Sequence, residues 1–117
     1  MLRNFLLVGM GGAVGAMMRY GVTLLTAALG GAATLATMSA NIVGSFLMGL
    51  IVGLCSNNPW LLFATVGVCG GFTTFSTFSL QSITLMQSGR WPMALLYMAL
   101  TLLLCLLFTF LGYRLAR

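Results

Sequence analysis

The sequence predicts an all-α integral membrane protein with four transmembrane helices in each subunit. Three observations predict it. Of 117 residues, 61% are hydrophobic and only 4% are charged, where a soluble domain carries roughly 25% charged residues on its surface. The mean hydropathy is +1.12, which makes lipid the natural solvent. The apolar runs are punctuated by short turn-like clusters, and a span takes ~20 apolar residues. The chain therefore holds roughly four spans and short loops as one membrane domain over residues 1–117, with no room for a soluble domain.

The first span is expected over about residues 4–27, with polar Arg19-Tyr20 toward its far end. Its start, Met1-Leu2-Arg3-Asn4 and then Phe5 to Val8, faintly resembles a signal peptide. The apolar run continues past it without a convincing cleavage site, so it reads as a retained span. A Gly/Ala-rich connection leads to a second span over about residues 37–55, stopped by 56-SNNP-59. Pro59 is well placed just before a helix start. A third span covers about residues 60–87. Gly70-Gly71 in its middle predicts two half-helices with a break near that pair. The turn 88-SGRWP-92 precedes a fourth span over about residues 92–113.

The charges exclude whole classes of chemistry. There is no Asp, Glu, Lys or His, and the only charged side chains are Arg3, Arg19, Arg90, Arg114 and Arg117. Acid–base catalysis by carboxylate pairs, His-based triads and metal sites built on His or carboxylates are all out of reach. Nothing suggests an enzyme. Cys55, Cys69 and Cys105 are far apart and form no CxxC, so they read as small apolar residues. Arginines scattered singly do not make a nucleic-acid surface. With four spans both termini share one side, which holds Arg3, Arg114 and Arg117, while Arg90 lies opposite and Arg19 lies toward it. That bias is thin, and it leaves open both a fixed orientation and insertion of copies both ways.

Small residues mark the faces that meet protein. Gly11 and Gly15 are four apart in the first span, and Ser45, Gly49 and Gly53 follow at spacings of four in the second. Packing alone explains these stripes. Asn41 lies on the second stripe, four residues before Ser45, and so points into the bundle. Alone it reads as an interhelical hydrogen bond of ~0.6–2 kcal/mol. Arg19 has no carboxylate to pair with. It must snorkel to a headgroup, bind backbone carbonyls or meet a mobile anion, and snorkelling is the plain reading near a span end. In the fourth span Tyr97, Thr101, Cys105 and Thr109 recur every four residues, a polar stripe on one helix face.

The stretch 70-GGFTTFSTFS-79 is the least ordinary. Phe72, Phe75 and Phe78 are spaced by three, with Thr73, Thr74, Ser76 and Thr77 between them. A helix break frees backbone groups at membrane depth, which survive only if buried in protein or lining a cavity. Freed carbonyls suit a bare cation such as Na⁺, and two antiparallel copies meeting at such breaks would share one. Ring edges carry partial positive charge and attract a small anion. Hydroxyls and the Asn41 amide add donors. The plainer alternative has the phenyls packing the bundle and the hydroxyls bonding back to their own helix. The density of the pattern after Gly-Gly favours a pathway.

These residues resemble the Fluc/CrcB fluoride channels over nearly the whole chain. The likeness is carried by 11-GGAVGAMMRY-20, 41-NIVGSFLMG-49, 67-GVCGGFTTFSTFS-79 and 87-QSGRW-91, and the third segment is highly specific. The resemblance implies a fluoride-selective channel of the bacterial inner membrane, an antiparallel dual-topology homodimer with two fluoride pathways. It implies a structural Na⁺ at the dimer centre, held by the backbone carbonyls of Gly70 and Thr73. It assigns the pathway to Asn41, Phe75, Phe78, Tyr97, Thr101 and Cys105, with Ser76 and Thr77 beside the rings and Arg19 at the vestibule. Two positions depart from the family pattern: Gln81 stands where Glu is common, and Ala36-Thr37-Met38 replaces Gly-Thr-Leu.

Three readings compete. A passive channel exporting fluoride needs donors and positive ring edges to replace the ion's tight hydration, and the sequence has them. A small four-span, proton-coupled multidrug exporter needs a membrane-embedded carboxylate, which the chain lacks. A non-transporting membrane subunit would use the same rings for packing alone.

Overall fold

The computed structural model describes residues 1–54 and 58–117. The expected end of the second span at Cys55, and residues 56 and 57 of the turn after it, lie outside the described residues. The described chain is helical: α1 (Leu2–Ala28), α2 (Ala33–Leu54), then a third segment, then α6 (Trp91–Ala116). The third segment is composite. It runs through α3 (Trp60–Leu62), a π-helical stretch (Phe63–Cys69), α4 (Gly70–Phe72) and α5 (Phe75–Gln87). Counting the third segment as one, four helices are long and apolar enough to cross a membrane.

Local chemistry sets the ends. Gly30 and Gly89 adopt φ of 80° and 78°, a conformation that costs glycine least. Each lets the next N–H reach back to close the preceding helix: Gly31 to the Thr26 carbonyl at 2.8 Å and Arg90 to the Leu85 carbonyl at 2.9 Å. Asn58 Oδ1 accepts from the Trp60 N–H at 2.9 Å, which starts the third segment just after Pro59. Pro92 sits in the first turn of α6, where its missing N–H costs nothing.

Glycine decides which helices touch. α1 packs on the π-helical stretch and α4, while α2 packs along α6. A Cβ on Gly15 would meet the Val68 carbonyl and, at 2.7 Å, the Phe72 nitrogen. One on Gly71 would come within 2.6 Å of the Gly12 carbonyl. In the other pair, Gly49 lies against the Thr109 carbonyl and Gly112 against the Phe46 carbonyl. Such contact brings backbones close enough for dispersion to hold helices together where the hydrophobic effect gives no help. Phe46 and Phe108 add an edge-to-face contact with centroids 6.4 Å apart.

The third segment changes conformation two residues later than the glycines suggest. Gly70 is helical, with φ −63° and ψ −38°. Helical winding ends at Phe72; Thr73 (φ −85°, ψ 156°) and Thr74 (φ −148°, ψ 120°) are extended. Gly71 serves the close approach to α1, and the backbone turns where side chains can take over its hydrogen bonds.

Candidate functional site

Three side chains, those of Thr74, Asn41 and Arg19, take over bonds that an uninterrupted helix would make here, just after the last helical bond of the preceding turn. Thr73 bonds back to the Cys69 carbonyl through both its N–H (3.0 Å) and its hydroxyl (2.9 Å). Thr74 caps α5: its Oγ1 accepts the Thr77 N–H at 3.3 Å, a standard role for Thr at a helix start. The Thr74 peptide is held by Asn41 on α2. The Thr74 N–H donates to Asn41 Oδ1 at 2.8 Å, and Asn41 Nδ2 donates to the Thr74 carbonyl at 3.1 Å. Arg19 donates from Nε to the Gly71 carbonyl at 3.3 Å. Of the three partners open to Arg19, the structure shows a backbone carbonyl.

Beside this segment lies a cavity of about 210 Å³ lined by Asn41, Ser45, Thr73, Thr74, Phe75, Phe78, Thr101, Leu102 and Cys105. Five of the residues singled out in the sequence for an ion path meet there: Asn41, Phe75, Phe78, Thr101 and Cys105. The rings form a file. Phe75 and Phe78 have centroids 5.4 Å apart, and Phe78 and Tyr97 are 5.3 Å apart. Phe78 is buried, whereas Phe75 is 72% exposed on the subunit surface. Phe72 belongs to the preceding helical turn and packs in the interior, so the three evenly spaced rings do not act as one stripe.

The donors are unevenly occupied. Thr101 Oγ1 is buried and, among the described residues, has no hydrogen-bond partner. An unpaired buried hydroxyl costs about 1–3 kcal/mol and calls for a water or ion beside it. Asn41 Nδ2 carries two hydrogens, and its bond to Thr74 uses one.

Other predicted residues lie outside this cavity. Tyr97 lines a neighbouring one with Thr34, Leu85 and Met93, and its hydroxyl donates to Gln81 Oε1 at 2.8 Å. Ser76 and Thr77 bond to Thr74 at 3.2 and 3.3 Å, so they shape the helix start. Thr109 bonds back to the Cys105 carbonyl at 2.9 Å and faces Gly49. The regular polar stripe of α6 therefore divides, with Thr101 and Cys105 on the cavity. Ser45 and Thr74 are lining residues that the sequence reading did not assign to the path. Ser45 was visible on the Asn41 stripe, but it was read there as a packing residue.

The family model for CrcB-like protein, Camphor Resistance (CrcB), matches residues 6–113. The chain belongs to the CrcB family. Curated CrcB relatives share its length as well as its pattern. It is 43% identical to the fluoride-specific ion channel FluC of Elusimicrobium minutum, over 100% of this chain and 96% of that protein. It is 43% identical to the protein of that name from Thermus thermophilus, over 97% and 95% respectively. With the one from Magnetococcus marinus the identity is 47%, over 90% of each. All three bear the name of a channel, not of an enzyme. Four candidate spans and CrcB membership make this chain a multi-pass protein of the plasma membrane.

Proposed function

We propose that the chain is the subunit of a fluoride-selective channel through which cytoplasmic fluoride leaves the cell by passive permeation. The observation that carries this reading is the cavity under Phe75 and Phe78, where the buried Thr101 hydroxyl has no hydrogen-bond partner among the described residues. A small anion there accepts from Thr101 and from the second Asn41 N–H, and meets positive ring edges. With no carboxylate in the chain, nothing in the path repels it and nothing carries a coupled proton. Gln81, bonded to the Tyr97 hydroxyl, shares a cavity with Arg90, and these polar groups would guide the ion on that side. The names of the relatives agree with this reading.

The working unit in this reading is an antiparallel homodimer with the third segment interrupted at mid-membrane. Phe75, 72% exposed, is a ring left for a second copy to cover. The thin arginine bias suits insertion in both orientations. Gly70 and Thr73 fit the sodium ion that the family implies. The N–H of Thr74, which a continuing helix would send to the Gly70 carbonyl, goes to Asn41. That of Thr77, due to the Thr73 carbonyl, goes to the Thr74 hydroxyl. Both carbonyls are thereby left without their helical donors, as a hard cation's ligands must be. A bound sodium ion would supply a fixed positive charge joining the interrupted segments.

The test is fluoride efflux from liposomes that hold the purified protein alone, followed with a fluoride electrode, with chloride as control and Phe75→Ile alongside. Rapid fluoride-selective efflux that the substitution abolishes is expected. Absence of efflux from well-folded protein of the right size would sink the homodimeric channel.

A further inference from the structure

We propose that Asn41 is a positioning residue for the cation: it keeps the Gly70 carbonyl open by capturing the N–H that would otherwise close it. The inference rests on the sodium reading above and deepens it. In a regular helix the N–H of residue 74 bonds the carbonyl of residue 70. Here that N–H points to Asn41 Oδ1 at 2.8 Å, while the Asn41 amide returns a bond to the Thr74 carbonyl at 3.1 Å. One side-chain amide thus gives one residue both of the backbone bonds that a neighbouring strand would give. It holds Thr74 extended at φ −148° and ψ 120°.

The two carbonyls are opened by different means. That of Thr73 is released locally, because the Thr74 hydroxyl caps α5. That of Gly70 depends on a residue 33 positions away. Asn41 is suited to this. It is 7% exposed, so it is held inside the bundle, and it stands on α2, which packs along α6. One turn later Gly44 lies against the Thr73 side chain and 3.3 Å from the Phe72 ring for any added Cβ. Asn41 and Gly44 together seat the extended pair on α2. The remaining Asn41 N–H sits at the cavity wall, so one side chain serves the cation site and the anion path at once.

Sodium binding separates these roles. Sodium-depleted protein in detergent is dialysed against radioactive sodium, for wild type, Asn41→Leu and Asn41→Asp. Leu offers no acceptor, so the Thr74 N–H returns to the Gly70 carbonyl, and sodium affinity is expected to fall by about tenfold or more. Asp keeps an oxygen for that N–H, so it is expected to retain sodium. A side chain that merely fills space would not distinguish the two. Wild-type affinity in Asn41→Leu overturns the proposal and leaves the sodium reading standing. Loss of sodium in Asn41→Asp overturns it as well, and decides the matter alone should the Leu variant fail to fold. If wild type itself binds no sodium, the sodium reading falls and the proposal falls with it.

Discussion

The Tyr97 hydroxyl donates to Gln81 Oε1 at 2.8 Å, joining α6 to α5 one turn beyond the buried Phe78. This pair holds the Tyr97 ring against Phe78 at 5.3 Å, next to the proposed ion path. Neither partner carries a charge. Tyr97→Phe keeps the ring contact and removes the bond. We expect it to lower stability by about 1 kcal/mol, read from thermal unfolding in detergent, and to slow fluoride efflux from liposomes.

Gln81 also bears on pH. The chain has no Asp, Glu or His, so no side chain of those types changes charge between about pH 5 and 8. Flux measured at fixed free fluoride should be flat over that window. Gln81→Glu introduces a carboxylate beside the Tyr97 hydroxyl. An unperturbed Glu ionises at about pH 4.3, so flux in this variant should fall as pH rises from about 3.5 to 5.5, because a negative charge repels the anion. A flat profile in that variant would place Gln81 away from the permeating ion.

Thr101 separates a pathway role from a packing role. Thr101→Val has nearly the same shape and removes a buried hydroxyl that lacks a partner among the described residues. Stability should hold or rise by up to about 1 kcal/mol, while fluoride efflux falls. Thr101→Ser keeps the hydroxyl and should keep most of the flux. Unchanged efflux in the Val variant would remove Thr101 from the path.

Arg19 is tied to the Gly71 carbonyl at 3.3 Å. Arg19→Leu leaves that carbonyl without its partner, and a loss of about 1–3 kcal/mol is expected. Arg19→Gln can still donate. It should recover part of the stability but not any charge-dependent part of the flux, which shows as a weaker dependence of efflux on ionic strength.

The glycine contacts make opposite forecasts within one helix. Gly15→Ala drives a methyl into the backbone at Val68 and Phe72, and overpacking of this kind costs about 1–3 kcal/mol. Gly9 has open space around its Cβ position. Gly9→Ala should be neutral or stabilising by up to about 1 kcal/mol through helix propensity. Thermal melts of the two variants side by side check the pair.

Much of this molecule was legible in its amino acids. Four spans follow from hydropathy and turn residues, because in hydrocarbon each helix must satisfy its own backbone. The absence of carboxylates weighed against a proton-coupled exporter before any coordinates were needed. Asn41, Phe75, Phe78, Thr101 and Cys105 were each visible as polar or aromatic departures on apolar faces. Tertiary structure decided how they work. A break was expected near Gly70-Gly71, yet both stay helical, Gly71 against α1, and the extended pair is Thr73-Thr74. Local propensity cannot place that change, since it is fixed by Asn41 reaching Thr74 across 33 residues and Arg19 reaching Gly71 across 52. A buried backbone group takes whichever partner the packing brings within reach, and that choice is made between helices, not along them.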